Sequence, residues 1–283
     1  MSGIDIGVIS LAAMVTLIFA GMYVPVVLAL VSFISVWALS GDINLAVKLL
    51  GLTTENSLSS YLFGVVPLFV LMGLLVSESG IGKDTFEIAN RVFGRLKGGL
   101  GIATVAANAV FASITGISIA SAAVFTKVAV PEMLRFGYTP RFAVGVVAGS
   151  SVLGMLIPPS LLLIVYGLLA DISIGDLFIA GIIPGGVLAL TYAVGIIFLA
   201  TRFPTMVADV PAAELAENQS MTFMAVITKA SPIVILVTIV LGGIYGGIFT
   251  PTEAGAAGAL GALVMAVTKR RLDWVTFWRV LVE

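Results

Sequence analysis

Small hydroxyl residues cluster around one glycine in the middle of an apolar stretch: Ser113, Thr115 and Ser118 flank Gly116. Oxygen atoms of low charge suit a dehydrated alkali cation, and a helix beginning after Gly116 directs its positive end at a carboxylate. The alternative is that small polar residues let helices approach closely, with hydroxyls bonded to carbonyls of their own helix. Asn108, further upstream, can contact a substrate or join two helices.

A second candidate group lies in the next long apolar stretch: Gly149, Ser150, Ser151, Gly154, Pro158 and Pro159. Prolines lack a backbone donor and disfavour helix at the residue before them. We therefore predict a discontinuous helix whose second half starts near Pro159, where a proline suits the first turn. The break can form a binding site or can be a kink without further role.

The composition identifies the class of protein that holds these groups. The 283 residues are 60% hydrophobic and 10% charged, and their mean hydropathy is +1.18. Soluble domains are about 45–50% apolar and about 25% charged. Nearly continuous apolar runs, such as residues 161–169, favour helices over strands of alternating polarity. The sequence predicts an all-α polytopic membrane protein.

Absent residue types exclude several functions. Without Cys or His, the chain has no disulfide, no thiolate or imidazole metal site and no Cys or Ser/His nucleophile. The spans contain no Asp pair and no GxSxG motif for catalysis inside the membrane. Because 14 Lys+Arg face 15 Asp+Glu, there is no basic footprint for nucleic acid. We predict neither an enzyme nor a bound cofactor.

Basic connections orient the chain. They contain Lys83, Arg91, Arg95 and Lys97; then Lys127, Arg135 and Arg141; then Lys269, Arg270, Arg271 and Arg279. The positive-inside rule places all three in the cytoplasm. Residues 98–126 then start and end on one face, yet about 29 residues are too few for two crossings of ~20 each. We predict a re-entrant hairpin with its tip near Gly116.

Four regions follow from this topology: scaffold spans at 1–60, a first transport unit at 61–201, a linker at 202–230 and a second unit at 231–283. Within the first transport unit we predict an interfacial helix at 81–97, the hairpin at 98–126 and the broken helix at 142–170. The linker is polar, with Pro204, Pro211, Glu214 and Glu217.

An internal repeat accompanies this layout. Gly21-Met22-Tyr23-Val24-Pro25 returns as Gly247-Ile248-Phe249-Thr250-Pro251, and the topology predicts that the two copies are inverted. Inverted repeats with broken helices are typical of secondary transporters. Since no second hairpin precedes Glu283, we expect the second repeat to be incomplete and the sequence to be a fragment.

Two local motifs around the second copy predict structural roles. Thr250-Pro251-Thr252-Glu253 fits a capping box, and Gly242 with Gly246 fits a small-residue packing motif.

Several motifs, in order, resemble the large membrane subunit of tripartite ATP-independent periplasmic (TRAP) transporters. They are Pro67-Leu68-Phe69-Val70-Leu71-Met72-Gly73, Ser79-Gly80-Ile81, Pro131-Glu132-Met133 with Gly137-Tyr138, Gly154-Met155-Leu156-Ile157-Pro158-Pro159-Ser160, and Leu177-Phe178-Ile179-Ala180-Gly181-Ile182-Ile183-Pro184-Gly185. The resemblance covers nearly the whole chain.

The resemblance implies a sodium-driven elevator importer in a bacterial or archaeal inner membrane. It also implies a small four-helix membrane subunit and a periplasmic substrate-binding protein as partners, and organic acids such as C4-dicarboxylates or sialic acid as cargo. Its sodium sites involve hairpin tips and helix breaks, which point here to Ser113, Thr115, Gly116 and Ser118 and to the backbone through Gly149, Ser150 and Gly154. Family tips often read Ser-Gly-Ser-Ser, whereas Ile117 removes one oxygen here.

The expected function is therefore sodium-coupled uptake of a small organic acid across the bilayer of the bacterial inner membrane. We expect the substrate to contact Asn108, Ser113, Thr115, Ser118, Pro158 and Pro159. The rival is a passive channel or a non-transporting membrane assembly subunit, in which the same hydroxyls serve only for packing.

Overall fold

A computed structural model describes residues 3–59, 61–207 and 222–282 of the chain. The described residues form helices and turns and contain no strand, which confirms the predicted all-α class. They fall into two compact units, Met1–Phe63 and Gly64–Glu283. The roles of the predicted regions as scaffold and transport units stay predictions.

The first unit contains α1 (Gly3–Phe19), α2 (Val24–Ser40) and α3 (Ile43–Leu58). The Ser10 and Ser35 hydroxyls lie 2.6 Å apart and link α1 to α2. Sequence analysis did not single out α3. It begins after Asp42, whose carboxylate accepts a hydrogen bond of 2.8 Å from the Asn44 amide, an N-cap that fixes the start of the helix.

The second unit contains eleven helices among the described residues. They are α4 (Val65–Glu78), α5 (Ile81–Phe93), α6 (Gly99–Thr115), α7 (Ser118–Arg135), α8 (Pro140–Ser151), α9 (Leu153–Leu156), α10 (Leu161–Ala170), α11 (Ile174–Arg202), α12 (Phe223–Tyr245), α13 (Pro251–Thr268) and α14 (Trp274–Val282).

Helix α6 lies at the centre of the second unit, because it is buried along most of its length. Phe111 of α6 packs edge-to-face on Phe125 of α7, with ring centroids 5.5 Å apart. One ring precedes Gly116 and the other follows it, so the chain turns back at Gly116. This is the helical hairpin predicted for residues 98–126, except that its second arm continues to Arg135, so that Lys127 lies within α7 and not in a connection. The re-entrant course of the hairpin stays a prediction.

Three stretches are long and apolar enough to cross a membrane: Pro140–Ala170, Ile174–Arg202 and Phe223–Tyr245. Helices α4 and α5 are together long and apolar enough to cross a membrane, but their axes are bent by 65° relative to each other. Gly3–Phe19, Val24–Ser40 and Gly99–Thr115 are shorter apolar helices. These elements agree with the predicted multi-pass membrane protein.

Glycines on α13 allow it to pack closely against α4. A Cβ added at Gly258 would lie 2.4 Å from Met72 Sδ, and one added at Gly255 would lie 3.0 Å from Phe69 Cδ2. Both large side chains are buried in the core. The close approach of these two helices therefore depends on the missing side chains of α13.

The predicted interfacial helix 81–97 is helical only as far as Phe93. Phe86 and Ala89 of its apolar face are buried, but Val92 and Leu96 are 63% and 51% exposed. The two carboxylates of α5 are paired by residues from other parts of the chain, since Lys229 of α12 pairs with Glu87 and Lys269 pairs with Asp84.

The structure also shortens the predicted linker at its C-terminal end. We expected residues 202–230 to be linker, yet α12 begins at Phe223, because the polar Lys229 is paired with Glu87 within a helix. Of the other linker residues, Pro204 starts a 3-10 turn, Pro204–Met206. Pro211, Glu214 and Glu217 lie outside the described residues.

Both copies of the sequence repeat adopt the same local structure. Gly21 and Gly247 have φ of 90° and 68°, and each precedes a helix with a proline in its first turn. The predicted capping box is confirmed: the Thr250 hydroxyl accepts from the Glu253 amide, and the Glu253 carboxylate accepts from the Thr250 amide. The inverted orientation of the copies stays a prediction.

The resemblance between the copies extends past these helices. After α2, Asp42 caps α3, and after α13 the Asp273 carboxylate accepts a hydrogen bond of 2.8 Å from the Thr276 amide in α14. This second correspondence was not visible in the sequence, because the residues between α2 and Asp42 differ from those between α13 and Asp273.

Candidate functional site

The tip of the hairpin is a two-residue turn. Gly116 adopts the left-handed conformation, with φ of 63°, and Ile117 is extended before α7 begins at Ser118. Glycine enters the left-handed region without the steric cost that a Cβ brings. The prediction of a turn at Gly116 followed by a new helix is confirmed.

The predicted helix break is also present, but its second half begins later than expected. Ile157 and Ser160 are extended, and α10 starts at Leu161 rather than near Pro159. The reason is Ser160, whose hydroxyl accepts from the Leu163 amide and donates 2.6 Å to the Met155 carbonyl. A serine N-cap defines the helix start one residue after the prolines.

The tip and the break touch each other. The Leu161 amide donates a hydrogen bond of 3.1 Å to the Gly116 carbonyl. A Cβ at Gly116 would lie 2.4 Å from the Pro159 oxygen, and one at Gly154 would lie 3.1 Å from the Ser118 nitrogen. Two interruptions from separate parts of the sequence therefore meet in one region, which we call the tip–break junction (residues 115–118 and 154–161). Within it, residues 116–117 and 157–160 are not helical.

Two other helices close around the tip–break junction through glycines that sequence analysis did not assign to the site. A Cβ at Gly73 of α4 would lie 2.8 Å from the Thr115 carbonyl oxygen. On α11, Cβ atoms at Gly181 and Gly185 would lie 2.7 Å from the Leu156 oxygen and 2.8 Å from Ile157 Cγ1.

A sequence signal for the α11 contacts was available. Gly181 and Gly185 have the four-residue spacing of a small-residue packing motif. The pair chosen from the sequence, Gly242 and Gly246, makes its nearest contacts within its own segment, to Thr238 and to Ile248 and Gly242 itself. Spacing identifies such motifs but does not say which of them faces another helix.

The predicted hydroxyl ligands occupy different environments. Thr115 is fully buried, and its hydroxyl donates 3.1 Å to the Phe111 carbonyl. Ser113 is half-buried and donates 2.7 Å to the Val110 carbonyl, while Ser118 is half-buried at the first residue of α7. A hydroxyl that donates its proton to a carbonyl keeps its lone pairs for a cation. Their role as sodium ligands stays a prediction.

A second polar contact joins the hairpin to the broken helix. The Asn108 amide nitrogen donates 2.5 Å to the Ser150 hydroxyl, and both side chains are buried. The Asn108 side-chain oxygen is buried without a hydrogen-bond partner among the described residues, as is the Ser121 hydroxyl. Asn108 thus links α6 to α8, and a substrate contact by this residue stays a prediction.

Gly149 and Ser151 do not face the tip–break junction in the described contacts. A Cβ at Gly149 would lie 3.4 Å from the Tyr192 ring of α11, where Gly149 lines a cavity of about 560 Å³ with Arg141 and Phe142. The Ser151 hydroxyl donates 2.8 Å to the Ala148 carbonyl. Gly149 and Ser151 were assigned to the site because they adjoin Ser150 in the sequence, but on the helix they face different neighbours.

Residues 115–118 and 154–161 carry no ionic side chain themselves, but Ile117 and Leu161 line a cavity of about 660 Å³ together with Glu78, Lys83, Lys127 and Arg279. Within the described residues, no group of three or more His, Cys, Asp or Glu can hold a metal. The ion pairs found there involve α5, the C-terminal part of α7, Lys229 and Lys269. The polarity of the junction therefore comes from hydroxyls, peptide groups and the ends of short helices.

Comparisons with known proteins agree with this architecture. A family model described as "Tripartite ATP-independent periplasmic transporter, DctM component" matches residues 11–283. Curated large permease proteins from several bacteria are similar to the chain. The C4-dicarboxylate TRAP transporter protein DctM of Pseudomonas aeruginosa is 37% identical over 224 residues, 79% of this chain and 50% of the relative.

The ectoine TRAP transporter protein TeaC of Halomonas elongata is 31% identical over 259 residues, 91% of this chain and 58% of the relative. The sialic acid TRAP transporter protein SiaM of Vibrio cholerae is 32% identical over 251 residues, 88% of this chain and 56% of the relative. The chain thus spans about half the length of the curated relatives it matches.

Proposed function

The chain belongs to the tripartite ATP-independent periplasmic transporter family as a large permease (DctM) component, and from this premise we propose that it takes part in sodium-coupled uptake of a small organic acid. In this proposal, a periplasmic binding protein delivers the substrate and a small four-helix membrane subunit completes the complex. The complex lies in the bacterial inner membrane, and its transport unit moves as an elevator.

The observation that carries this proposal is the contact between the hairpin tip and the helix break. A backbone hydrogen bond of 3.1 Å joins Leu161 to Gly116. Non-helical backbone at membrane depth is tolerated where it is buried in protein or lines a watery cavity. In secondary transporters such breaks hold substrate and coupling ions near the middle of the bilayer.

The junction offers the chemistry that a carboxylate and a sodium ion need. Helices α7 and α10 both begin there, at Ser118 and Leu161, and helix N-termini favour negative charge. Thr115 and Ser118 supply neutral oxygens beside the turn at Gly116. The cavity that Ile117 and Leu161 line holds one carboxylate, Glu78, and three cations, Lys83, Lys127 and Arg279. This surplus of positive charge favours a carboxylate.

The substrate class is proposed from the relatives. Their names specify C4-dicarboxylates, sialic acid and ectoine, and each of these compounds has a carboxylate. We propose a carboxylate-bearing substrate for this chain as well.

The rival function is a passive channel or a non-transporting assembly subunit. In that case the glycines and hydroxyls serve only for close packing. The hydrogen bonds from Ser113 and Thr115 to carbonyls of their own helix are compatible with such a role. The two functions differ in sodium dependence, because packing alone does not couple flux to an ion gradient.

The test is uptake into proteoliposomes that contain the full-length permease, its small subunit and the binding protein loaded with a radiolabelled C4-dicarboxylate, sialic acid or ectoine. We expect uptake to require an inward sodium gradient. Ser118→Ala should raise the sodium concentration for half-maximal uptake about fivefold, since losing one neutral oxygen contact costs ~1 kcal/mol.

Thr201→Ala is the matched control, because this exposed threonine bonds its own helix at the far end of α11. It should leave the sodium response unchanged. Uptake that is indifferent to the sodium gradient would reject sodium coupling. An equal sodium response in Ser118→Ala and wild type would remove Ser118 from the site.

A further inference from the structure

A cavity of about 540 Å³ lies between α5, α7 and the N-terminal part of α12. Five cationic side chains line it: Lys83, Arg91, Lys127, Arg135 and Lys229. Two carboxylates, Glu87 and Glu132, also line it. The cavity therefore has a surplus of positive charge.

The carboxylates are already engaged by some of these cations. Lys229 pairs with Glu87, and Lys83 lies 3.8 Å from the same carboxylate. Arg135 lies 3.9 Å from Glu132. Arg91 and Lys127 belong to none of the ion pairs found within the described residues.

Arg91 has a further feature that points to a ligand. Its Nη1 atom is buried without a hydrogen-bond partner among the described residues. A buried guanidinium donor is costly to leave unpaired, and its planar geometry matches the oxygens of a phosphate. An anion bound in the cavity would satisfy this donor.

The cavity also has an apolar wall, which favours an amphiphilic anion over a small soluble one. Phe86, Val128, Pro131 and Phe136 line it together with the cations. On the same segment as Phe86 and Arg91, Val92 and Leu96 are 63% and 51% exposed. An acyl chain leaving the cavity would cover apolar surface of this kind.

We propose that this cavity binds the phosphate group of an anionic phospholipid through Arg91 and Lys127. Arg91 lies in α5 and Lys127 in α7, and the positive-inside rule places the basic segments that contain them on the cytoplasmic side. The cytoplasmic leaflet carries anionic lipids, and basic pockets between membrane helices bind their headgroups. The bound lipid links α5 to the second arm of the hairpin.

The test uses the full-length permease with its small subunit, purified in detergent and stripped of lipid. Its thermal unfolding is followed during titration with phosphatidylglycerol, with phosphatidylcholine and with inorganic phosphate. We expect phosphatidylglycerol to raise Tm at low concentration, and the other two compounds to leave it unchanged over the same range.

Arg91→Gln/Lys127→Gln should raise the concentration of phosphatidylglycerol at half-effect about tenfold or more, because two charge-assisted contacts are lost. Arg95→Gln/Lys97→Gln is the matched control, since it removes the same charge from exposed residues of the neighbouring connection. Lys127 is exposed, so the single Lys127→Gln variant should fold and still show a weakened response.

Three results would overturn the proposal. One is an equal response in the double variant and its charge-matched control. Another is an equal response to phosphatidylcholine, which would show that general lipid solvation causes the shift. The third is the same shift with inorganic phosphate alone, which would assign the cavity to a soluble anion instead.

Discussion

The hairpin tip and the helix break both interrupt apolar helices, but they do so by different means. At the tip, one glycine takes the left-handed conformation and the chain reverses within two residues. At the break, Pro158 and Pro159 are followed by the N-cap Ser160 before the helix resumes. The tip therefore depends on one backbone conformation, whereas the break depends on several side-chain effects.

This difference predicts unequal tolerance to substitution. A Cβ at Gly116 meets the Pro159 carbonyl at 2.4 Å, and the residue has positive φ. Backbone atoms cannot rotate away as a side chain can. At the break, the Ser160 hydroxyl contributes one cap and one bond to Met155, which a small shift of the chain can partly replace.

The largest effect is expected for Gly116→Ala. The left-handed conformation costs ~1–2 kcal/mol for a residue with a Cβ, and the contact with Pro159 forces the tip away from the break. Uptake in proteoliposomes should fall by more than about tenfold. Gly186→Ala is the control, because a Cβ at that position in α11 meets nothing within 4 Å. Equal uptake by both variants would show that the tip–break contact is dispensable.

A smaller effect is expected outside the tip and the break, where side chains join α6 of the hairpin to α8 of the broken helix. Ser150→Ala leaves the buried Asn108 amide without its partner, which should lower the free energy of unfolding by ~1–3 kcal/mol. Asn108→Ala/Ser150→Ala should cost less than the sum of the single variants, because both partners are removed together. Thermal unfolding of the four proteins in detergent measures this coupling. Additive costs would contradict the proposed pairing.

The smallest effect is expected at the break itself. Ser160→Ala removes an N-cap and should cost ~1 kcal/mol, with uptake largely retained. Ser160→Thr keeps the hydroxyl and should recover most of the stability. If Ser160→Ala instead abolishes uptake as Gly116→Ala does, the contrast between the two regions is wrong.

Much of the fold was predictable, because hydrophobicity and glycine or proline placement act locally. The apolar stretches, the turn at Gly116, the interrupted helix at Pro158 and Pro159 and the capping box at Thr250 all follow from such rules. The start of α10 was predicted slightly too early, because Ser160 was not considered as a cap.

The site was predictable only in part. Thr115, Gly116, Ser118, Gly154 and Pro159 were selected from the sequence, and the structure brings them together. Gly149 came with them in the sequence but faces Tyr192. Gly73, Gly181 and Gly185 were missed, because a glycine in an apolar helix reveals its role only when its neighbour is known.

The same limit applies to charge. Lys229 looked like part of a polar linker, yet it pairs with Glu87 inside the second unit. Arg91 and Lys127 served only to orient the chain in the sequence, but the structure places both at one cavity. The role of a charged residue in a membrane protein therefore depends on the residue or ligand with which it pairs.

The sequence by itself determined the class, the positions of the helix interruptions and the family, because each of these depends on composition or on residues close along the chain. Only the tertiary structure decided that the tip at Gly116 meets the break at Leu161 and that Asn108 pairs with Ser150. Those contacts join residues about 40 positions apart in the chain, and packing between helices selects them from many arrangements that satisfy the same local rules.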